Sequence, residues 1–362
     1  MARVEGEPRP GDLCVILDSR GRFLAQGYYN PQSQIACRVL TLEKVPLDET
    51  FFRKRILTAL KLRKDLLPPG TTGYRLINSE GDFLPGLVVD WYGRGAVCQF
   101  LTAGMERLKS LILDLLLELL DPAFLYERSD SPLRREEGLE PVKGLLHGEE
   151  TPRVAFREGA ATFLSLVKDG QKTGFFLDQR ENRRLVGTLA RGKRVLDCFC
   201  YTGGFSVCAA LGGASSLTLV DVSSGALEVA REHMEMNGVE TPASFVKKDV
   251  FSFLRSCGRY QLVVLDPPKF VRSKRELEGG LRGYRDINRL AMGRLEPGGF
   301  LFTFSCSQAV TRPIFLRTLQ EAAREAGREV QVLATLSQAP DHPFCLHHRE
   351  GEYLKGFLLR VL

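Results

Sequence analysis

No run in this chain is long and charge-free enough to cross a bilayer, where about 20 mostly apolar residues are needed. The best stretch, Leu108 to Leu120, carries Lys109, Asp114 and Glu118. The opening Met1-Ala-Arg-Val-Glu-Gly-Glu-Pro8 has no apolar core for a secretory signal, so export is not expected. Repeats and low-complexity tracts are missing. Histidine is scarce, at five, and the nine cysteines are scattered and odd in number. A disulfide framework would be unusual in a chain of this length, and a reducing cytoplasm is the simplest setting. Cys198 and Cys200 form a C-x-C, which at a strand end is more often packing than redox chemistry. No second Cys/His cluster stands at ligand spacing, so no metal site is expected. His342, His347 and His348 with Cys345 come nearest, but Pro343 and Arg349-Glu350 make that segment read as a surface turn.

At 362 residues the chain exceeds one ordinary core, so two or three domains are expected. Hydrophobic content of 44% and charged content of 26% are ordinary for a soluble protein. The net charge of +6 is unevenly spread. Residues 1–68 carry twelve Lys/Arg against eight Asp/Glu, and residues 69–175 twelve against sixteen. Residues 269–294 carry eight basic and three acidic groups, and read as a basic loop. Most charge runs are solvated faces. This one follows Asp266-Pro267-Pro268 directly, which favours a polyanionic partner such as nucleic acid.

The first forty residues read as short strands, at Leu13–Leu17, Phe23–Gly27 and Gln34–Leu40, separated by Asp18-Ser-Arg-Gly21 and Asn30-Pro31 turns. Helical spacing follows from Asp48 to Lys64, with Asp48 as cap. Pro68-Pro69-Gly70 marks a boundary. Strands are expected at Tyr74–Asn78, Gly86–Asp90, Ala96–Phe100, Phe124–Glu127 and Ala161–Val167, with a helix from Met105 to Leu120. From Asp178 helices and strands alternate. Strands at 194–197, 216–221, 243–249, 262–266 and 300–304 are interleaved with helices at 178–190, 204–211, 225–237, 287–295 and 315–325. That alternation predicts a doubly wound, largely parallel α/β sheet.

Open α/β sheets place ligands at the carboxyl ends of their strands. Asp197-Cys-Phe-Cys-Tyr-Thr-Gly-Gly204 ends one strand and opens a helix. Asp221 ends the next, at the usual distance for a carboxylate that grips a ribose diol. The G-x-G-x-x-G spacing is absent, which argues against a pyrophosphate cradle. A nucleoside without phosphates, such as S-adenosylmethionine, fits better. Asp249 could bond an adenine amino group. Singly, each such aspartate is more often a helix cap or turn residue. Asp266-Pro267-Pro268 makes a stiff ledge, since each proline fixes φ and removes a donor. Cys306 lies between Ser305 and Ser307 just past an apolar strand. Buried cysteines are mostly inert packing, and Cys14, Cys98, Cys208 and Cys257 read that way. Cys306 is expected beside Asp266, at the crevice.

Four segments together resemble one known family. They are Gln171-Lys-Thr-Gly-Phe-Phe-Leu-Asp-Gln-Arg180, Asp266-Pro-Pro-Lys-Phe270, Ser305-Cys-Ser307, and Asp341-His-Pro343 with Glu350-Gly-Glu-Tyr-Leu-Lys-Gly356. The chain looks like a bacterial 23S rRNA cytosine-C5 methyltransferase along nearly its whole length. The Lys172–Arg180 run and the Tyr-Leu-Lys-Gly segment are specific, whereas Asp-Pro-Pro is shared by many methyltransferases. The resemblance implies Cys306 as nucleophile and Asp266 as the base-binding carboxylate. It implies cofactor contacts from Lys172, Phe175, Asp178, Arg180, Asp197, Phe199, Tyr201, Thr202, Gly203, Asp221, Asp249 and Asp266. Pro267, Pro268, Lys269, Phe270, Arg272, Lys274 and Arg275 fall where substrate would lie.

The family's usual opening, with a His-Pro-Trp segment, is missing here. Two readings follow: a PUA domain lacking its first strand, or a misassigned start. Some RNA cytosine methyltransferases also carry a second cysteine after the Asp-Pro step. Here that place is Pro268, so the base that removes the C5 proton is unidentified. Glu350 and Glu352 are loose analogues of residues in related uracil enzymes.

The expected architecture is an α/β chain of three domains. Residues 1–68 make a PUA-like RNA-binding β domain and a linker helix. Residues 69–175 make a small central α/β domain, and residues 176–362 a Rossmann-like class I methyltransferase domain. The cofactor is S-adenosylmethionine, the partner 23S rRNA, free or in a pre-ribosomal particle, with no membrane. The setting is cytoplasmic, and homodimerisation is left open. Two alternatives stand beside this reading. One is a uracil-C5 or guanine-N RNA methyltransferase on the same scaffold. The other is a non-catalytic RNA-binding assembly factor.

Overall fold

In the computed structural model, residues 4–271 and 273–362 are described, with Lys274 by its backbone alone. Arg272 lies outside the described residues. The chain forms two units. One holds residues up to Ala160, Leu164–Asp178 and Pro340–Gly351. The other holds Ala161–Phe163, Gln179–Ala339 and Glu352–Leu362.

The first unit begins with an antiparallel sheet of β1 (Asp12–Leu17), β2 (Phe23–Tyr29) and β3 (Cys37–Thr41). Helix α1 (Glu49–Leu66) is capped as expected, with the Asp48 carboxylate accepting the Phe51 N–H at 3.2 Å. A five-stranded sheet follows in chain order: β4 (Gly73–Asn78), β5 (Leu87–Tyr92), β6 (Gly95–Phe100), β7 (Phe124–Ser129) and β8 (Val142–Gly148). Strands β6 and β7 are parallel, so a crossover must join them. It is made by α2 (Ala103–Arg107) and α3 (Lys109–Leu120). The single helix expected from Met105 thus starts earlier, on a Thr102 cap, and breaks at Leu108. A short α4 (Leu133–Glu136) precedes β8, and a hairpin of β9 (Val154–Glu158) and β10 (Ala161–Ser165) comes after it. Tyr28 ties the small sheet to the larger one, its hydroxyl donating to Pro85 O at 2.7 Å.

The segment around His342 is corrected in part: Asp341 and His342 are buried, at 0% and 2% exposed, while Phe344, Leu346, His347, Arg349 and Glu350 are exposed, as a surface turn would be. Arg63, itself 1% exposed, donates to both Asp82 oxygens and to the Arg75 and Asp341 carbonyls. The Asp341 carboxylate accepts the Arg75 N–H at 3.0 Å. Burial pushes the His342 imidazole below its ordinary pKa. These donors lie more than 260 residues away in the chain, so no local pattern could report them.

The second unit alternates as the sequence predicts. Its elements are α5 (Arg180–Leu189), β11 (Arg194–Cys198), α6 (Gly204–Leu211), β12 (Ser216–Asp221), α7 (Ser224–Met236), β13 (Ala243–Lys247), α8 (Val250–Ser256), β14 (Tyr260–Leu265), α9 (Leu277–Gly293), β15 (Leu295–Ser305), α10 (Arg312–Ala326), β16 (Val330–Leu336) and β17 (Lys355–Val361). Sheet order is β13-β12-β11-β14-β15-β17-β16. The first five strands are mutually parallel, and β17 enters antiparallel to both neighbours. The core packs Leu196, Val263, Leu265 and Leu301 of the sheet against Ile287 and Met292 of α9 and Phe315 of α10.

Helix α9 starts ten residues before the expected Ile287. Gly279, Gly280 and Gly283 disguise it, being poor helix formers. Their smallness is used: a Cβ on Gly280 would lie 2.3 Å from Val271 Cγ2 and 2.6 Å from Phe270 O. The bare helix face lets the segment after Asp266-Pro-Pro settle against it. Most of the basic stretch 269–294 is therefore helix rather than loop, and several of its charges are engaged. Arg285 pairs with Glu321 and Glu325, and Arg289 with Asp286 and Glu325.

Candidate active site

The strand order reverses between β11 and β14, the switch point where doubly wound sheets open their ligand crevice. Asp197 sits within β11, Asp221 ends β12 and Asp266 follows β14. Buried apolar strands drive this, since both faces of a parallel sheet are covered and polar residues are left for the carboxyl ends.

Asp197 is 1% exposed. Its Oδ2 accepts the Ser206 hydroxyl at 2.7 Å, while Oδ1 is buried with no hydrogen-bond partner among the described residues. Burial pushes the carboxyl up to about 7; the Asp266 and Asp221 carboxylates push the same way and Ser206 opposes. The turn after β11 is held in an uncommon conformation. Phe199 and Tyr201 have φ of 60° and 47°, and Gly203 has 74°. Non-glycine residues adopt the left-handed region at a cost, and such positions cluster at ligand sites. Asp221 holds this turn by accepting the Tyr201 N–H at 2.9 Å and, through its other oxygen, the Ser223 N–H at 2.9 Å. Thr202 is buried, and its carbonyl accepts from His233 Nδ1 at 2.8 Å. Asp249 is exposed and caps α8, accepting the Ser252 N–H at 2.9 Å.

Strands β14 and β15 are parallel neighbours, with Leu265 opposite Thr303. Asp266 and Cys306 thus emerge from adjacent strand ends. The Asp266 Oδ2 accepts from Gln179 Nε2 at 3.0 Å, and Asn182 Nδ2 donates to Gln179 Oε1 at 2.6 Å, which fixes the amide's orientation. Cys306 is partly exposed, whereas Ser305 and Ser307 are sealed. The Ser307 hydroxyl lies 3.1 Å from the Tyr284 hydroxyl and accepts the Val271 N–H at 3.3 Å. That bond links the Asp266–Phe270 segment to the Cys306 turn. Pro267 is buried, while Pro268, Lys269 and Arg275 are exposed. Phe270 packs on Tyr284 at 4.8 Å and on Phe251 at 6.0 Å. Lys274's side chain and Arg272 lie outside what the structure describes.

The Lys172–Arg180 run is divided. Lys172, Phe175 and Asp178 belong to the first unit, Gln179 and Arg180 to the second. Lys172 has a φ of 52°, and its Nζ meets Asp178 Oδ2 at 2.7 Å. Phe175 is buried against Phe156. Arg180 is buried with Nε 3.3 Å from Glu181. Sequence reasoning missed Gln179, Ser206, Tyr284, Ser307 and Lys355. Gln179, Ser307 and Lys355 lie inside motifs already singled out; Ser206 and Tyr284 carry no signal beyond their polarity.

A family model described as S-adenosylmethionine-dependent methyltransferase matches residues 144–358, and one for a PUA-like domain matches residues 1–42. Ribosomal RNA large subunit methyltransferase I of Aeromonas hydrophila is 44% identical, over 99% of this chain and 93% of its own length. The chain belongs to this methyltransferase family. The enzyme of the same name from Vibrio cholerae is 43% identical across 100% of this chain and 94% of its own. A Streptococcus mutans protein described as a SAM-dependent methyltransferase superposes with a TM-score of 0.85, covering 98% of this chain and 93% of its own, at 24% identity. A methyltransferase solved with SAH bound also gives 0.85. These two structures bear on the fold alone.

The protein is therefore an S-adenosylmethionine-dependent methyltransferase with a PUA-like segment at its start. The donor set suits the cofactor. Asp197 offers a buried unpartnered oxygen, and three carboxylates ring the crevice. Both match a ligand with an ammonium, a sulfonium and ribose hydroxyls, and no phosphate.

Proposed function

We propose that the protein methylates C5 of a cytosine in 23S ribosomal RNA, in the cytoplasm, with Cys306 as nucleophile. The observation that carries this is the emergence of Asp266 and a part-exposed Cys306 from adjacent strand ends. The names of its relatives, which act on large-subunit ribosomal RNA, support the substrate. Asp197, the Phe199–Gly203 turn and Asp221 would hold the cofactor, with Arg180 and Asp249 as further contacts. When bound, it supplies an electrophilic methyl.

The chain's own residues do the rest. C5 of cytosine is a poor nucleophile. Addition of the Cys306 thiolate to C6 makes C5 enamine-like, which divides one hard step into two. Asp266, oriented by Gln179, faces the base edge. Thiolate addition leaves negative charge at N3; a proton held between Asp266 and N3 neutralises it, and the carboxylate then accepts the N3–H. After C5 gains its substituent, water or a solvent-borne base takes the C5 proton, the C5–H electron pair re-forms the C5–C6 double bond, and the C6–S bond breaks to release the thiolate. Tyr284 and Ser307 keep the Cys306 turn in register with the Asp266 segment throughout. Pro267 and Pro268 make a rigid ledge, and Lys269, Phe270 and Arg275 flank the approach of an unstacked base.

The test is nucleoside mass spectrometry of 23S rRNA incubated with purified protein and methyl-labelled cofactor. The expected product is 5-methylcytidine, and Cys306→Ala abolishes it. A Cys306→Ala protein that methylates cytosine at the parental rate ends this reading. Methyluridine or methylguanosine product would favour the other scaffold chemistries.

A further inference from the structure

Lys355 of the Tyr-Leu-Lys-Gly motif begins β17 and stands opposite Ser305 in the antiparallel β15–β17 ladder. It is 3% exposed although it carries an amine. Its Nζ donates to Ser307 O and to Tyr353 O, each at 2.8 Å. One of these bonds therefore grips the residue directly after Cys306. Both partners are carbonyl oxygens, which only accept, so the site suits an ammonium with its several donors. Burying a lone cation is costly, and an apolar side chain would fill the same space more cheaply. The retained charge calls for a partner.

The surrounding groups narrow what that partner is. Glu352 precedes β17 and is drawn off by Arg312 of α10 at 2.8 Å. Lys269, on the Asp266–Phe270 segment, is a like charge and exposed. Tyr284 of α9 bonds to Ser307 and is pushed above its ordinary pKa by burial, with Cys306 adding to the shift. Cys306 is the strongest influence that favours the charged amine.

We propose that Lys355 is a positioning residue for Cys306: its ammonium anchors the Ser305–Ser307 turn and favours the thiolate over the thiol. The inference rests on the nucleophile reading above and deepens it. An opposite charge nearby favours the ionised thiol, and only that form adds to C6. Burial pushes Lys355 down to about 8, and the Cys306 charge opposes that fall. Lys355 touches neither base nor cofactor in this scheme and moves no proton.

The experiment reads the thiol directly. Full-length protein without cofactor is treated with iodoacetamide from about pH 6 to 10, and peptide mass spectrometry follows the rate at Cys306. Lys355→Met is expected to slow alkylation at neutral pH about tenfold and raise the midpoint by about one unit. Lys355→Gln keeps donors for the two carbonyls and removes the charge, and shifts the profile the same way. Lys355→Arg restores it to within about threefold, since both are cations. The pH profile of kcat/KM for methylation moves with the alkylation profile. If Lys355→Met or Lys355→Gln keeps the parental melting temperature and alkylates with the parental profile, the inference is overturned, even where methylation is lost. A shifted alkylation profile in a protein that makes no methylcytidine supports the Lys355 assignment and overturns the cytosine reading instead.

Discussion

Asp197 makes the protein less stable at high pH, and replacing it with asparagine should reverse that. Its carboxyl titrates at about 7 when folded, against about 3.9 in an unfolded chain. The folded state therefore holds the proton more tightly than the unfolded one between these values. Stability contributed by the protonated group is present at low pH and lost as pH rises through this window. The full span is about three units, or roughly 4 kcal/mol, with roughly 3 kcal/mol of it falling between pH 5 and 8. Asp197→Asn cannot ionise. Its Oδ1 can still accept the Ser206 hydroxyl, and its amide occupies the place of the unpartnered oxygen, at a cost of about 1–3 kcal/mol that does not vary with pH. The parental protein should thus lose stability relative to the variant by about 3 kcal/mol on going from pH 5 to 8. For a chain of 362 residues that corresponds to a change of roughly 4 °C in the difference between their melting temperatures. Differential scanning fluorimetry at fixed scan rate checks it. Parallel melting curves across that range would falsify the assignment of a raised carboxyl. The same variant should bind S-adenosylmethionine more weakly by calorimetry, because a neutral amide replaces an anionic acceptor.

Gly203→Ala puts a Cβ 2.9 Å from Ala230 Cβ at a φ of 74°; we expect a loss of about 1–3 kcal/mol and weaker cofactor binding, read by urea unfolding and calorimetry. Arg63→Met leaves Asp82 buried without its cation and should cost about 3–5 kcal/mol in urea unfolding; a loss under about 1 kcal/mol would mean that the pair is weak. Lys269→Ala and Arg275→Ala, whose side chains are exposed, should each lower the salt slope of RNA binding by about 1 in filter binding. Arg285→Ala, already paired with Glu321 and Glu325, should leave that slope unchanged; an equal effect from all three would restore the whole 269–294 stretch as the RNA contact.

Local signals carried much of the second unit. The apolar runs ending at Asp197, Asp221 and Asp266 became adjacent parallel strands, because a run buried on both faces reads the same in sequence and in space. Asp48 caps its helix, as expected from its position before an amphipathic stretch, and Ser223 caps α7 in the same way. Less legible were β8, β9 and β16, whose exposed or mixed residues dilute the strand pattern, and β17, which is buried along nearly its whole length. Helix α9 was half hidden by glycines kept for close approach rather than for helicity. Asp249 turned out to cap α8, the common role of an aspartate after a strand.

The amino-acid order alone determined that a carboxylate and a thiol would follow two apolar strands, and that a non-phosphate turn would follow a third. Strand length, proline stiffness and hydrophobic runs are short-range properties, and they can be read residue by residue. Only the folded chain decided that β14 and β15 are neighbours, that Gln179 turns its amide to Asp266, and that a lysine from the last strand is buried against the Cys306 turn. It also decided that Asp341 is buried against Arg63 and Arg75. Each of these joins residues far apart in the chain, and such pairings are fixed by sheet order and packing, which no local window contains.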